Sequence, residues 1–159
     1  MRCFLIIDMK ERIEEPHEQL GYLLTQVTFL KQRIINSALK ELDITYIQFV
    51  ILAGTYELGN EGRIVTQQTI SDERRLDKAM VSNVTKTLIE KELMIRTVHP
   101  VDKRAYTLSL TPCGAEKAVR GKKIALKMDE TFFAGIDKNK FQESLITLLK
   151  NDNNGTEQK

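Results

Sequence analysis

Apolar residues recur at three- and four-residue steps through Leu20, Leu23, Leu24, Val27, Leu30, Ile34 and Ala38, drawing one stripe along a helix predicted over residues 11–42. Thirty residues at 1.5 Å each span roughly 45 Å, long for a helix packed only within a chain of 159 residues. The surplus apolar length points to a second subunit; the alternative is a helix that wraps its own core. A second helix is predicted to start at Thr45, which can cap it. It carries Phe49, Ile51, Leu52 and Tyr56 and stops before the turn-forming run Gly59-Asn60-Glu61-Gly62. Arg63-Ile64-Val65 reads as a short strand, and Thr66 as the cap of a short helix to about Arg74. Asp77 caps the next helix, which runs to about Lys91 and hides Val81, Val84 and Leu88. Its other face shows Lys78, Ala79, Ser82, Asn83 and Lys86, with no bulky exposed group. Two short helices, each with one apolar stripe and a tight link between them, form a helix-turn-helix candidate.

After Leu93 the period drops to two. Met94–Val98 and Tyr106–Leu110 both alternate and are β-rich, and the polar, basic run His99-Pro100-Val101-Asp102-Lys103-Arg104 lies between them. A hairpin directly after a helix-turn-helix is the order of a winged helix. Thr111-Pro112 opens a further helix through Ala115, Ala118, Val119 and Ile124. A last helix near 138–150 places Phe141, Leu145, Leu148 and Leu149 on one face. The predicted fold is mainly α with a small β-hairpin wing. It is one domain over 1–159, with a winged helix-turn-helix lobe at 45–111, long helices flanking it at 11–42 and 112–150, and a disordered polar tail at 151–159.

With 42% hydrophobic and 29% charged residues, the composition is that of an ordinary globular protein. Two cysteines make no disulfide framework, and with two histidines they supply zinc ligands poorly, so no metal site is expected. No apolar run approaches the ~20 residues of a membrane span. The run Cys3-Phe4-Leu5-Ile6-Ile7 stops at Asp8, short of a secretory signal, so the expected location is the cytoplasm. Translation can start at Met1 or at Met9. The chain has no Gly-rich phosphate loop, no H-E-x-x-H and no G-x-S-x-G, and only His17 and His99 as histidine bases, so no enzyme and no cofactor are expected. The net charge of +2 names no partner by itself. Its distribution does: residues 63–104 hold nine Lys/Arg against six Asp/Glu, whereas the remainder holds fifteen against sixteen. The middle of the chain is therefore the part that faces a polyanion.

From Ile44 to Gly114 these residues resemble the MarR (multiple antibiotic resistance regulator) family of bacterial transcription factors. Ile44-Thr45-Tyr46-Ile47-Gln48-Phe49 is similar to the family's L-T-x-x-Q-F. Asp77-Lys78-Ala79-Met80-Val81-Ser82 resembles the start of its recognition helix, and Leu88–Arg96 resembles L-x-x-K-G-L-I-x-R. Asp102–Thr111 matches the wing signature D-x-R-x-x-x-x-x-L-T, and Gly114 falls where the family has a glycine. Two departures stand out. Glu92 replaces the usual glycine, which predicts a different turn into the wing, and Arg74-Arg75 occupies a region commonly apolar plus glycine. Their charge would add phosphate contacts or be solvated.

The resemblance implies a homodimer bound to double-stranded DNA, with the flanking helices as dimerisation helices. The helix after Asp77 would enter the major groove. Ser82 and Asn83 would face base edges, Lys78 and Lys86 phosphates or guanine, and Ala79 would allow close approach. The wing would reach the minor groove through Arg104, oriented by Asp102, with Lys103 between them. Against these stand a solvated helix face and a surface ion pair of ~0–1 kcal/mol. A two-fold dimer implies a pseudo-palindromic operator, and a repressor is the simplest mode of action. The family's effector pocket, often for small aromatic ligands, would draw on His17, Tyr22, Tyr46 and Tyr56, each of which is otherwise a core or interface residue. A redox input is the competitor. Gly21 stands where peroxide-sensing members carry a cysteine, and Cys113 lies near the start of its helix, where a thiolate is favoured. The remaining alternative is a winged helix that binds a protein rather than DNA.

Overall fold

The computed structural model describes residues 19–151. Its order is α1 (Leu20–Leu39), a 3-10 turn (Lys40–Leu42), α2 (Tyr46–Asn60), α3 (Gln67–Arg74), α4 (Lys78–Glu90), β1 (Met94–Val98), β2 (Tyr106–Leu110), α5 (Pro112–Phe132) and α6 (Lys138–Asn151). The chain is mainly helical with one antiparallel hairpin, in the register Met94↔Leu110 to Val98↔Tyr106. His17 and the 11–18 stretch of the predicted first helix lie outside the described residues, as do Cys3 and Met9. Asn151, assigned by composition to the tail, closes α6.

Four helix starts, those of α2 to α5, follow from local capping chemistry. The Thr45 hydroxyl accepts from the Gln48 N–H while the Gln48 side chain accepts from the Thr45 N–H. Thr66 and Thr69 make the same reciprocal pair at α3, Asp77 accepts from the Met80 N–H at α4, and Thr111 caps α5 with Pro112 in its first turn. Each cap is worth about 1 kcal/mol by satisfying an otherwise orphaned donor.

α2 is the central element and touches α1, α3, α4, α5 and β2. Its Phe49, Ile51, Leu52 and Leu58 join Ile35, Leu39, Ile70, Val81, Leu88, Leu93, Leu108 and Ala118 in one core. The α2–α5 crossing is close: a Cβ at Gly121 would stand 2.5 Å from the Phe49 ring. The foot of the wing is closer still, since a Cβ at Gly114 would stand 1.9 Å from the Leu93 carbonyl oxygen. There the Thr111 N–H donates to that same carbonyl at 3.2 Å and the Thr111 hydroxyl to the Glu92 carbonyl at 2.9 Å. These contacts bind the end of α4, the wing and the start of α5 into one corner.

Two expectations are corrected, the Arg63–Val65 strand and the Glu92 turn, and the burial along α1 and α6 is added to their predicted stripes. Arg63–Val65 forms no strand; one bond, from the Leu108 N–H to the Val65 carbonyl at 2.8 Å, ties it to β2. On α1 the buried positions are Ile35 and Leu39, one residue along from the predicted Ile34 and Ala38, and the stripe from Leu20 to Leu30 is exposed. On α6 no residue is buried: Phe141 and Leu145 are half-buried, while Leu148 and Leu149 are 57% and 52% exposed. Finally, Glu92 does not change the turn into the wing. It adopts φ +56°, donates its N–H to Ile89 at 2.9 Å, and is followed by Leu93 donating to Leu88 at 2.9 Å. That is the glycine-type helix ending, made by a residue with a Cβ.

Candidate nucleic-acid interface

The two helices of the reading unit are joined by Arg75-Leu76-Asp77. Arg75 takes φ +51° where glycine is easiest. The Leu76 N–H donates to the Ser71 carbonyl at 3.0 Å and the Ser71 hydroxyl donates to the Leu76 carbonyl at 2.6 Å. This double clasp fixes how α4 leaves α3. The inner face of α4 buries Val81, Thr85 and Leu88. Val84, expected there, is half-buried, and Thr85 takes a place that the apolar pattern leaves open.

Ala79, Ser82, Asn83 and Lys86 fall at i, i+3, i+4 and i+7 and make one exposed face, with Lys78 beside it. Lys86 lies 4.0 Å from Glu90, both largely in solvent. The structure thus brings all five candidates of this helix to one surface. It adds Met80, 44% exposed, so the face is not clear of bulky groups.

Asp102, Lys103 and Arg104 are exposed at the hairpin tip. Asp102 does not orient the Arg104 guanidinium, as the resemblance implied. Its carboxylate accepts from the Arg104 backbone N–H at 3.0 Å, and its carbonyl accepts from the Ala105 N–H at 2.9 Å, so it shapes the turn. Among the described residues the Arg104 side chain has no ion-pair partner. Two further side chains build the wing: His99, which the sequence offered only as a histidine base, and Arg96, which it did not single out. His99 Nδ1 accepts from the Val101 N–H at 3.2 Å and the Asp102 N–H at 3.1 Å. The Arg96 guanidinium lies 3.5 Å over the Tyr106 ring on the exposed outer stretch of the hairpin. The spacing of Arg96 and Tyr106 across the hairpin turn is the one signal that could have found that pair.

Arg74 and Arg75 both reach partners within the chain. Arg74 is ion-paired to Glu57 of α2, which Lys122 of α5 also reaches at 2.9 Å. The Lys122 hydrogen bond, and then Arg74, hold the Glu57 carboxyl below the usual glutamate range. Arg75 donates to the Leu149 carbonyl at 3.4 Å.

Beside the Arg74–Glu57–Lys122 group is a cavity of about 300 Å³ between α1, α2 and α5, where Tyr46 and Phe49 meet Lys31 and Asp129. Of the tyrosines expected around an effector, Tyr46 lines it. Tyr56 lines an adjoining hollow with Ala53 and Glu57. Tyr22 is exposed on α1 and lines neither. Cys113 is an exposed free thiol. Among the described residues no helix is long and apolar enough to cross a membrane.

A helix-turn-helix with an exposed polar face, followed by a basic hairpin on the same core, defines a winged-helix DNA-binding protein. Residues 44–106 match the model of the MarR family. Over 147 residues the chain is 35% identical to the uncharacterized HTH-type transcriptional regulator YdcH of Bacillus subtilis (strain 168), covering 92% of this chain and 100% of that one. The chain belongs to the MarR family, whose members are transcription regulators rather than enzymes. Its fold is that of S. aureus MepR in complex with DNA (TM-score 0.73, 23% identity, 83% of this chain and 95% of that one). It is equally that of Bordetella bronchiseptica BpsR, whose DNA binding is regulated by 6-hydroxynicotinic acid (TM-score 0.74, 22% identity, 86% and 94%).

Proposed function

We propose that this regulator is a cytoplasmic homodimeric repressor that binds a pseudo-palindromic operator and is released by a small-molecule effector. The observation that carries the DNA contact is the single exposed face of Ala79, Ser82, Asn83 and Lys86 on α4, flanked by Lys78. On this reading α4 enters the major groove and Arg104 of the wing the minor groove, with Lys103 beside it.

Homodimerisation is supported by the surface α1 leaves uncovered. Leu20, Leu23, Leu24, Val27, Phe29 and Leu30 are all exposed, and a contiguous apolar row of this kind marks an interaction surface. Leu148 and Leu149 of α6 extend the supply. An effector would occupy the cavity between α1, α2 and α5. Its wall includes Arg74, the last residue of α3, so a ligand there touches the reading unit directly. It lowers DNA affinity only by binding better to the DNA-incompetent form.

The test is fluorescence anisotropy on the duplex upstream of the chain's own gene and on a scrambled duplex, across a salt series. Tight binding to the first duplex alone, with log affinity falling steeply against log salt, is expected. Equal, weak binding to both would favour a winged helix that docks a protein. The same assay then screens small aromatic acids for release.

A further inference from the structure

We propose that His99 is the positioning residue of the wing. Its neutral ring holds the tip that carries Arg104, and protonating it releases that tip, so that DNA affinity falls on acidification. The inference rests on the reading of Arg104 as a DNA contact.

The tip, His99 to Ala105, has almost nothing apolar to hold it; Val101 at its apex is 83% exposed. Order there comes from hydrogen bonds. The His99 N–H donates to the Ala105 carbonyl at 3.0 Å and closes the loop. Asp102 serves the second half of the tip by accepting from Arg104 and Ala105. The first half depends on the imidazole, whose Nδ1 accepts from both Val101 and Asp102. Such an Nδ1 carries no proton, so the ring is neutral with its proton on Nε2. An imidazolium has N–H at both nitrogens and accepts nothing. Protonation therefore removes one acceptor from two backbone donors and turns a third N–H toward them.

The charged and titratable groups nearby are Asp102, Lys103 and Arg104 on the tip and Arg96 and Tyr106 on the strands. From the segment after α2 comes Arg63, which shares a cleft with Pro100 and is bound to Glu73 at 2.5 Å and Glu61 at 3.7 Å. None of them takes over the role of Nδ1 as acceptor for Val101 and Asp102. The sign of the effect separates this inference from plain electrostatics, because a new positive charge on a DNA-facing wing would by itself strengthen binding.

The experiment is DNA affinity at constant ionic strength between about pH 8 and about pH 5.5, the range over which histidines titrate. Wild type is expected to weaken by about 5-fold or more on acidification, the scale of a lost arginine contact. His99→Asn, whose Oδ1 can accept the same two N–H groups as an Asx turn does, should bind like wild type at the upper pH and stay flat. His17 is the only other histidine in the sequence, so a flat His99→Asn profile isolates the ring. His99→Leu should bind weakly throughout with an unchanged Tm. In the free protein, the ¹⁵N shifts of the imidazole should report the Nε2–H form at neutral pH. The Val101 and Asp102 amide signals should move as the ring titrates.

Wild-type affinity that rises or stays level as pH falls, while Arg104→Ala binds weakly, overturns the role of His99 and leaves the wing contact standing. Arg104→Ala binding as tightly as wild type overturns both. A ring protonated on Nδ1 at neutral pH overturns the inference with no DNA present.

Discussion

Glu92 and Gly114 both lie at the corner where α4 ends, one before Leu93 and the other packed on its carbonyl, and they illustrate opposite demands on a backbone. Gly114 has no room for a Cβ, because the Leu93 carbonyl oxygen occupies that place. Glu92 has room but the wrong dihedral, at φ +56°. The left-handed conformation costs an L-residue roughly 1–2 kcal/mol, and the hydrogen-bonded helix ending together with the Thr111 contact to its carbonyl keeps it there. Glu92→Gly should therefore raise stability by about 1 kcal/mol, less what glycine loses in unfolded-state entropy. Chemical denaturation is the check, and DNA affinity should not change, since Glu92 follows the end of α4 and belongs neither to the Ala79–Lys86 face nor to the Asp102–Arg104 tip. A loss of stability would mean that the turn is held by the Glu92 side chain rather than in spite of it.

At the scale of elements, helix starts and the hairpin were legible because their causes are local. Thr45, Thr66, Asp77 and Thr111 each cap a helix within three residues of themselves, and the alternation in Met94–Val98 and Tyr106–Leu110 is the pleat itself. The exposed face of α4 was legible for the same reason, as a 3.6-residue period. What the sequence hid depends on distant partners. Arg74 is drawn from solvent by Glu57, seventeen residues away. Val65 receives one bond from Leu108 rather than a ladder. Asp102 was paired with the wrong atom of Arg104, because spacing alone does not tell a side-chain contact from a backbone one. Arg104→Ala should cost about 1–3 kcal/mol of specific DNA binding with no change in melting temperature. Unchanged affinity in the same titration would remove the wing from the interface.

For the molecule as a whole, Glu57 ties α2 to α3 through Arg74 and to α5 through Lys122. Its carboxyl is held below 4.5, the ordinary glutamate value, chiefly by Lys122 and then by Arg74. A depressed folded pKa stabilises the native state above the unfolded value, and that contribution disappears as pH falls through the folded one. Melting temperature should thus decline below about pH 4.5, and Glu57→Gln should flatten that part of the acid limb. An identical decline in the variant would place the acid sensitivity elsewhere. Assembly belongs to the same scale. The Leu20–Leu30 part of the α1 stripe is left exposed by the described chain, and a periodicity cannot say which partner covers it. Val27→Glu, at an exposed position of that stripe, should yield a folded monomer by light scattering, with native circular dichroism and weakened operator binding. A wild-type monomer, or a variant that stays dimeric, would contradict the assignment of α1 to the dimer contact.

The proposal that this MarR-family chain reads DNA as a two-fold dimer is tested most directly by selecting bound duplexes from a random pool and sequencing them. A pseudo-palindromic motif is expected, with half-site centres about one or two helical turns apart, ~10 or ~20 base pairs. Enrichment of no motif, or of a single unrepeated half-site, would contradict it.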